Sequence, residues 1–211
     1  LSSEHPKAKI IFLSLDMANK DSIHKSLEQV AKEFKFIDIL INCVGIVDET
    51  QPELVITVNL IGAIHSTLKA VELMSKDKGG RGGFLINVAS VLGLIPDFTH
   101  CIFSASKHGL IGFTRSIASD VYYKHTGIKV NAFCPGKTET PLGKKYIENA
   151  TLEYGLPYIT NVSESKGQTT EECAATLIKA LEADKNEAVW ISDNAELTEV
   201  TFPTYWAPRQ D

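Results

Sequence analysis

Residues 83–109, reading GFLINVASVLGLIPDFTHCIFSASKHG, decide the fold. The run Phe84–Ala89 is short, apolar and without alternation, which predicts a strand covered on both faces. It ends at Ser90, and a long helix is expected from Phe103 to Tyr123. Working outward, the pattern repeats. Before it, Asp38–Val44 predicts a strand closed by Gly45. A helix over Leu54–Met74 follows, ended by the turn Lys76–Gly83 with its four glycines. After it come a strand over Ile128–Phe133 ended by Pro135-Gly136, a helix over Thr170–Ala183 and a last strand over Ala188–Ser192. Thr169 or Thr170 with Glu172 are the expected caps of that helix. At the near end, Ile10–Asp16 predicts a strand. Ser22–Phe34 predicts a helix with Ile23, Leu27, Val30, Ala31 and Phe34 on one face, which Asp21 could cap. Strands alternating with helices imply an α/β fold, a doubly wound parallel sheet. The 211 residues form one domain, with residues 137–168 as an excursion at the carboxyl edge of the sheet.

Composition excludes several classes. With 44 % apolar and 22 % charged residues the chain is neither disordered nor a disulfide scaffold. A net charge of −5 without a basic run argues against nucleic acid. No uninterrupted apolar stretch reaches the roughly 18–20 residues of a membrane span; the longest, Leu54–Ile64, contains Thr57 and Asn59. Cys43, Cys101, Cys134 and Cys173 form no Cys-x-x-Cys pair, so no metal site is expected. They read as small core residues in a reducing, cytoplasmic setting. The sequons at Asn149 and Asn161 would matter only in a secreted protein.

In an open α/β sheet, ligands bind at the carboxyl ends of the strands. Here those ends are Asp16, Asn42 to Gly45, Asn87 to Ser90 and Pro135-Gly136. Each is also an ordinary place for a strand to stop. Phe103 and Lys107 share a helix face at i and i+4. Taken alone, Lys107 reads as a solvated surface lysine.

Several segments together resemble the short-chain dehydrogenase/reductase family across nearly the whole chain. They are Leu40–Gly45 (LINCVG), Val58–Gly62 (VNLIG), Ile86–Ser90 (INVAS), Ser104–Gly109 (SASKHG), and Asn131–Gly136 (NAFCPG) with Thr140-Pro141. The stretch Lys78–Gly83 (KGGRGG), the string Ser106–Arg115 and the tail with Trp190, Tyr205 and Trp206 are similar to the branch of insect-type alcohol dehydrogenases and fat-body proteins. That branch also holds 15-hydroxyprostaglandin dehydrogenase. The resemblance implies a Rossmann-like sheet, NAD as cofactor and a small apolar alcohol or ketone as substrate. It also implies a homodimer built through helices about 54–74 and 103–123. It assigns Ser90 to the substrate oxygen, Lys107 to the nicotinamide ribose and to lowering the pKa of a catalytic tyrosine, and Asn59 to a proton-relay water. Asp16, Asn42, Val44 and Gly45 would line the adenosine side. Pro135, Gly136, Thr138 and Thr140 would orient the carboxamide.

Two departures stand against that pattern. The tyrosine position is Phe103, which keeps the ring and loses the proton-transferring hydroxyl. The Gly-x-x-x-Gly-x-Gly turn that would hold the pyrophosphate does not occur. The resemblance places two strands and a helix ahead of Leu1, one strand lying between Ile10–Asp16 and Asp38–Val44, and so leads us to expect that the natural chain starts earlier. His100, Cys101, Tyr146, Tyr154 and Tyr158 lie off the i−4 position from Lys107 and would not replace the hydroxyl. Two readings follow, an impaired alcohol dehydrogenase and a catalytically silent relative with a binding, structural or storage role. Leu142, Tyr146, Ile147, Leu152, Tyr154, Leu156, Tyr158 and Ile159 in the excursion suggest an apolar ligand.

Overall fold

The computed structural model describes residues 4–143, 154 and 166–203. Five strands form one sheet in the order β1-β2-β3-β4-β5. They are β1 (Ile39–Asn42), β2 (Gly83–Val88), β3 (Ile128–Pro135), β4 (Val189–Asp193) and β5 (Glu196–Glu199). The first four run parallel, and β5 returns antiparallel on β4. Strand β5 was not expected. Asn194 and Ala195, both at positive φ, make the tight reversal that brings Glu196–Glu199 back along β4.

The helices are α1 (Lys20–Phe34), α2 (Pro52–Met74), α3 (Cys101–Ile117), α4 (Asp120–Thr126) and α5 (Thr170–Glu182). Asn19, not Asp21, caps α1: its side chain accepts from the Ser22 amide at 3.1 Å. Thr169 and Glu172 form the expected reciprocal capping box on α5. The helix expected over Phe103–Tyr123 is two, because the chain turns extended at Ser119 before α4. Gly127 then ends α4 at φ 64°, where a Cβ is disfavoured. Helix α2 is long and apolar enough to cross a membrane by length and composition, although no single uninterrupted run in it is; half of it is buried in the protein.

Alternation along the strands sorts the core. Leu85, Val130, Ala132 and Cys134 point to the face covered by α1, α2 and α3. Ile86, Phe133 and Trp190 point to the opposite face, under α5. Between β1, β2, α2 and α3 lies a buried polar lattice. Asn42 and Asn87 are register partners, and the Asn42 amide donates to Asn87 at 2.8 Å and Thr67 at 3.1 Å. Ser66 donates to Asn42 at 2.7 Å, and Asn87 donates to Thr114 at 3.0 Å. Every member is satisfied, so the lattice fixes strand register against the helices without an orphaned group.

The strand expected over Ile10–Asp16 does not form. Residues 9–16 run without sheet pairing, and Phe12 is 92 % exposed. The physical reason is the missing neighbour: among the described residues no strand pairs with the outer edge of β1. An extended segment alone cannot satisfy its backbone in a ladder. It is held instead at its end. The Asp16 amide donates to Ser22 and the Ser26 hydroxyl to the Ser14 carbonyl. Gly62 lets the Met17 carbonyl sit against α2, where a Cβ would come within 2.3 Å. The expectation of strands covered on both faces therefore fails at β1, where Ile39 and Ile41 are exposed.

Candidate active site

The carboxyl ends of β1, β2 and β3 converge on the first two turns of α3. Glu49, in the loop after β1, holds that helix end. Its two carboxylate oxygens accept from the Ile102 and Phe103 amides, each at 2.8 Å. A carboxylate at a helix N-terminus satisfies amides that no residue within the helix can reach. This anchor lies some fifty residues away in sequence, and no local pattern announces it.

Helix α2 contributes Asn59 from a π-helical turn over Thr57–Gly62. Such turns widen the helix and re-aim a side chain, and they recur at functional sites. Asn59 is fully buried. Its oxygen accepts from the Ile46 amide at 2.8 Å, and its NH2 donates to the Ile46 carbonyl at 2.9 Å and to Ser106 at 3.1 Å. Ser106 in turn donates to the Phe103 carbonyl at 2.7 Å. Asn59 thus clasps the loop after β1 and ties it to the first turn of α3.

Lys107 is not a surface lysine. It is 4 % exposed, and its Nζ donates to the Val88 carbonyl at 3.0 Å. Among the described residues no carboxylate pairs with it. Burial lowers its pKa to about 8, opposed in part by the Cys43 and Cys134 thiols. The Phe103 ring, 7 % exposed, lies with its centroid 5.5 Å from Nζ. Cys134 is pushed up to about 12, mainly by burial, so it stays a neutral thiol beside the amine. Ser90 lies two residues beyond β2 and caps the short turn Val91–Gly93, its hydroxyl accepting from the Leu92 amide at 3.1 Å.

The expected binding residues divide. Val44 and Gly45 stand at the mouth of the site, Val44 exposed, and a Cβ on Gly45 would meet Asn59 Oδ1 and Lys107 Nζ at 3.4 Å. Asn42 does not face the mouth, since its amide is spent in the buried lattice. Asp16 is exposed, and one carboxylate oxygen accepts from the Ala18 amide at 2.9 Å. Thr138 donates to the Gly136 carbonyl at 3.1 Å and accepts from Gln168 at 3.2 Å. Gln168 also bonds the Ser192 carbonyl at 2.8 Å, so it pins both ends of the excursion to the sheet. Sequence reading gave Gln168 no role. Gly136 backs onto Asp193, where a Cβ would clash at 2.3 Å. Pro135 ends β3, and Thr140 is half-buried just beyond it.

Of the cysteines, Cys43 and Cys101 are exposed, which corrects their reading as core residues; only Cys134 is fully buried. Tyr154 is 74 % exposed. Tyr146, Ile147, Asn149, Leu152, Leu156, Tyr158, Ile159, Asn161, Tyr205 and Trp206 lie outside the described residues. Among the described residues no cluster of three or more His, Cys, Asp or Glu side chains is placed to hold a metal ion.

Comparison with known proteins bears on this arrangement. A family model described as short chain dehydrogenase matches residues 1–151. Alcohol dehydrogenase 1 of Ceratitis capitata is 42 % identical over 208 residues, covering 99 % of this chain and 81 % of that protein. Fat body protein 2 of Drosophila melanogaster is 32 % identical over 206 residues, covering 98 % of this chain and 80 % of that one. Among solved structures, levodione reductase superposes with a TM-score of 0.77 at 23 % identity, over 91 % of this chain and 79 % of that chain, a likeness of fold.

Proposed function

This chain belongs to the short chain dehydrogenase family, and we propose that it is an alcohol dehydrogenase-like member whose proton-transfer step has been lost. The observation that carries the proposal is Phe103. Its ring lies 5.5 Å from Lys107 Nζ, in a frame that is otherwise assembled. Asn59 is clasped, the α3 N-terminus is held by Glu49, and Lys107 is buried beneath Gly45. A ring without a hydroxyl moves no proton, and general acid–base catalysis is worth roughly 10²–10⁴-fold.

The nicotinamide side of a dinucleotide site fits the residues present. A buried ammonium with one carbonyl acceptor and no described counter-charge suits ribose hydroxyls, and Gly45 adds no side chain over it. Lys107, Val44 and Gly45 would hold the cofactor there, with Pro135, Gly136, Thr138 and Thr140 along the β3 end. When bound, NAD supplies a hydride acceptor. The pyrophosphate side is not fitted by any glycine turn of the family type in these 211 residues. Ser90 would hydrogen-bond the oxygen of a small apolar alcohol or ketone.

Two further readings complete the proposal. Leu54, Ile61 and Leu68 recur every seventh residue on α2 and are exposed, which supports a homodimer through α2 and α3. The exposed thiols of Cys43 and Cys101 suit a reducing, cytoplasmic setting.

The test is alcohol oxidation with NAD by the protein and by Phe103→Tyr. The unsubstituted protein is expected at background and Phe103→Tyr roughly 10²–10⁴-fold above it. Equal rates in both would overturn the loss of proton transfer. Silence in both, with no NAD binding by calorimetry, would favour the catalytically silent reading.

A further inference from the structure

We infer that Lys107 is an amine nucleophile that captures aldehydes and reactive ketones as a Schiff base. The inference deepens the reading of this crevice as a carbonyl site and needs no nicotinamide.

Three features of the site lead there. Lys107 Nζ spends one hydrogen bond, on the Val88 carbonyl at 3.0 Å, and among the described residues it has no carboxylate partner. An ammonium that is 4 % exposed and lacks a counter-charge is the costly form, so burial shifts the balance toward the neutral amine relative to an exposed lysine. The second feature is access. Gly45 carries no side chain over the amine, since a Cβ there would touch Nζ at 3.4 Å. Cys43 and Val44 beside it are exposed and Gly45 is half-buried, so the amine lies just under the surface of the loop after β1. The third is the neighbour. Phe103 offers an apolar ring at 5.5 Å and no phenolic oxygen that could hydrogen-bond the amine or, ionised, hold it charged.

Desolvation in an apolar pocket is a recognised way to make lysine nucleophilic. The titratable groups that face Nζ are the Cys43 and Cys134 thiols; Cys134 is held neutral by burial. With a pKa of about 8, roughly a tenth of Lys107 is neutral at pH 7. An ordinary lysine of pKa near 10.4 is neutral to about 0.04 %. The advantage in free amine is on the order of 200-fold.

The reaction balances with nothing added. The nitrogen lone pair forms a C–N bond to the carbonyl carbon, and the C=O π pair moves to oxygen. One N–H proton passes to that oxygen, giving a carbinolamine. The C–O bond then breaks, the second N–H proton leaves with the hydroxyl as water, and the nitrogen lone pair closes the C=N bond. No redox change occurs.

The experiment incubates the protein with propanal and sodium cyanoborohydride, which fixes the imine as a secondary amine, followed by peptide mass mapping. At pH 7 we expect Lys107 to be alkylated at least 10-fold faster than the mean of the other lysines. The preference should shrink to a few-fold near pH 10, where roughly a quarter of an ordinary lysine is free amine. Gly45→Ala keeps the lysine and covers it, and should slow labelling at Lys107 at least several-fold while the other sites are unchanged. Phe103→Tyr should slow it too, because a phenolate would hold the ammonium charged. Circular dichroism of each variant checks that it is folded. Labelling of Lys107 no faster than the surface lysines at pH 7 would overturn the inference, as would a preference independent of pH or of Gly45→Ala in folded protein. No cofactor enters the assay, so absent NAD binding, which would sink the dehydrogenase reading, leaves this result standing.

Discussion

Ile41 and Ile86 are register partners on neighbouring parallel strands and point to the same face of the sheet, yet Ile86 is fully buried and Ile41 is 39 % exposed. Chemistry and backbone are the same, and cover differs. Ile86 packs in the cluster under α5 with Phe133, Ala180 and Trp190. Ile41 belongs to none of the described core clusters, and no described strand pairs with the outer edge of β1. The β2–β4 side of the sheet is closed on both faces and both edges. The side formed by β1 and residues 9–16 is closed on one face only. A strand's burial is thus a property of its neighbours, and an apolar run by itself only states what the chain could bury.

The largest expected effect tests that contrast directly. Ile86→Ala should cost about 2–5 kcal/mol, the price of an unfilled core site, and Ile41→Ala under about 1 kcal/mol. Both are read by urea unfolding. Equal costs would mean that the outer side of β1 is covered in solution.

Next is the charge of Lys107 inside the closed side. Lys107 binds its proton more weakly folded than unfolded, so its burial destabilises the fold fully below pH 8, and that penalty fades as pH rises toward 10.5. Lys107→Met should therefore stabilise by up to roughly 3 kcal/mol near pH 7, and the gain should shrink between pH 8 and 10.5. Taking the difference between variant and parent at each pH removes the opposite trend from Cys134, whose raised pKa weakens the fold above pH 9. A gain constant with pH would show that Lys107 is charged at no cost.

The smallest effect belongs to the open side. Phe12→Ser should change stability by less than about 0.5 kcal/mol, since the ring is almost wholly in water. A loss of 2 kcal/mol would give residues 9–16 a packing partner and break the comparison.

Much of the site was legible. Phe103 and Lys107 lie one turn apart on α3 as their spacing implied, Ser90 follows β2 at the start of a short turn, and Asn59 stands against the loop after β1. The burial of Lys107 was not legible, because its cover comes from β1, β2 and β3, three separate stretches of chain. Asn42 looked like a ligand contact because it ends a strand, but its register opposite Asn87 sends it inward. Glu49 and Gln168 carried no signal, since each acts on backbone far away in sequence.

By itself the sequence determined the α/β alternation, the Thr169 capping box, the family and the absence of a hydroxyl at Phe103, because each is a local pattern or a residue identity. Tertiary structure alone decided which apolar runs became strands, the two exposed cysteines, the return of β5 and the state of Lys107. Those depend on what lies across from a residue, and cover, pairing and desolvation are supplied by distant parts of the chain.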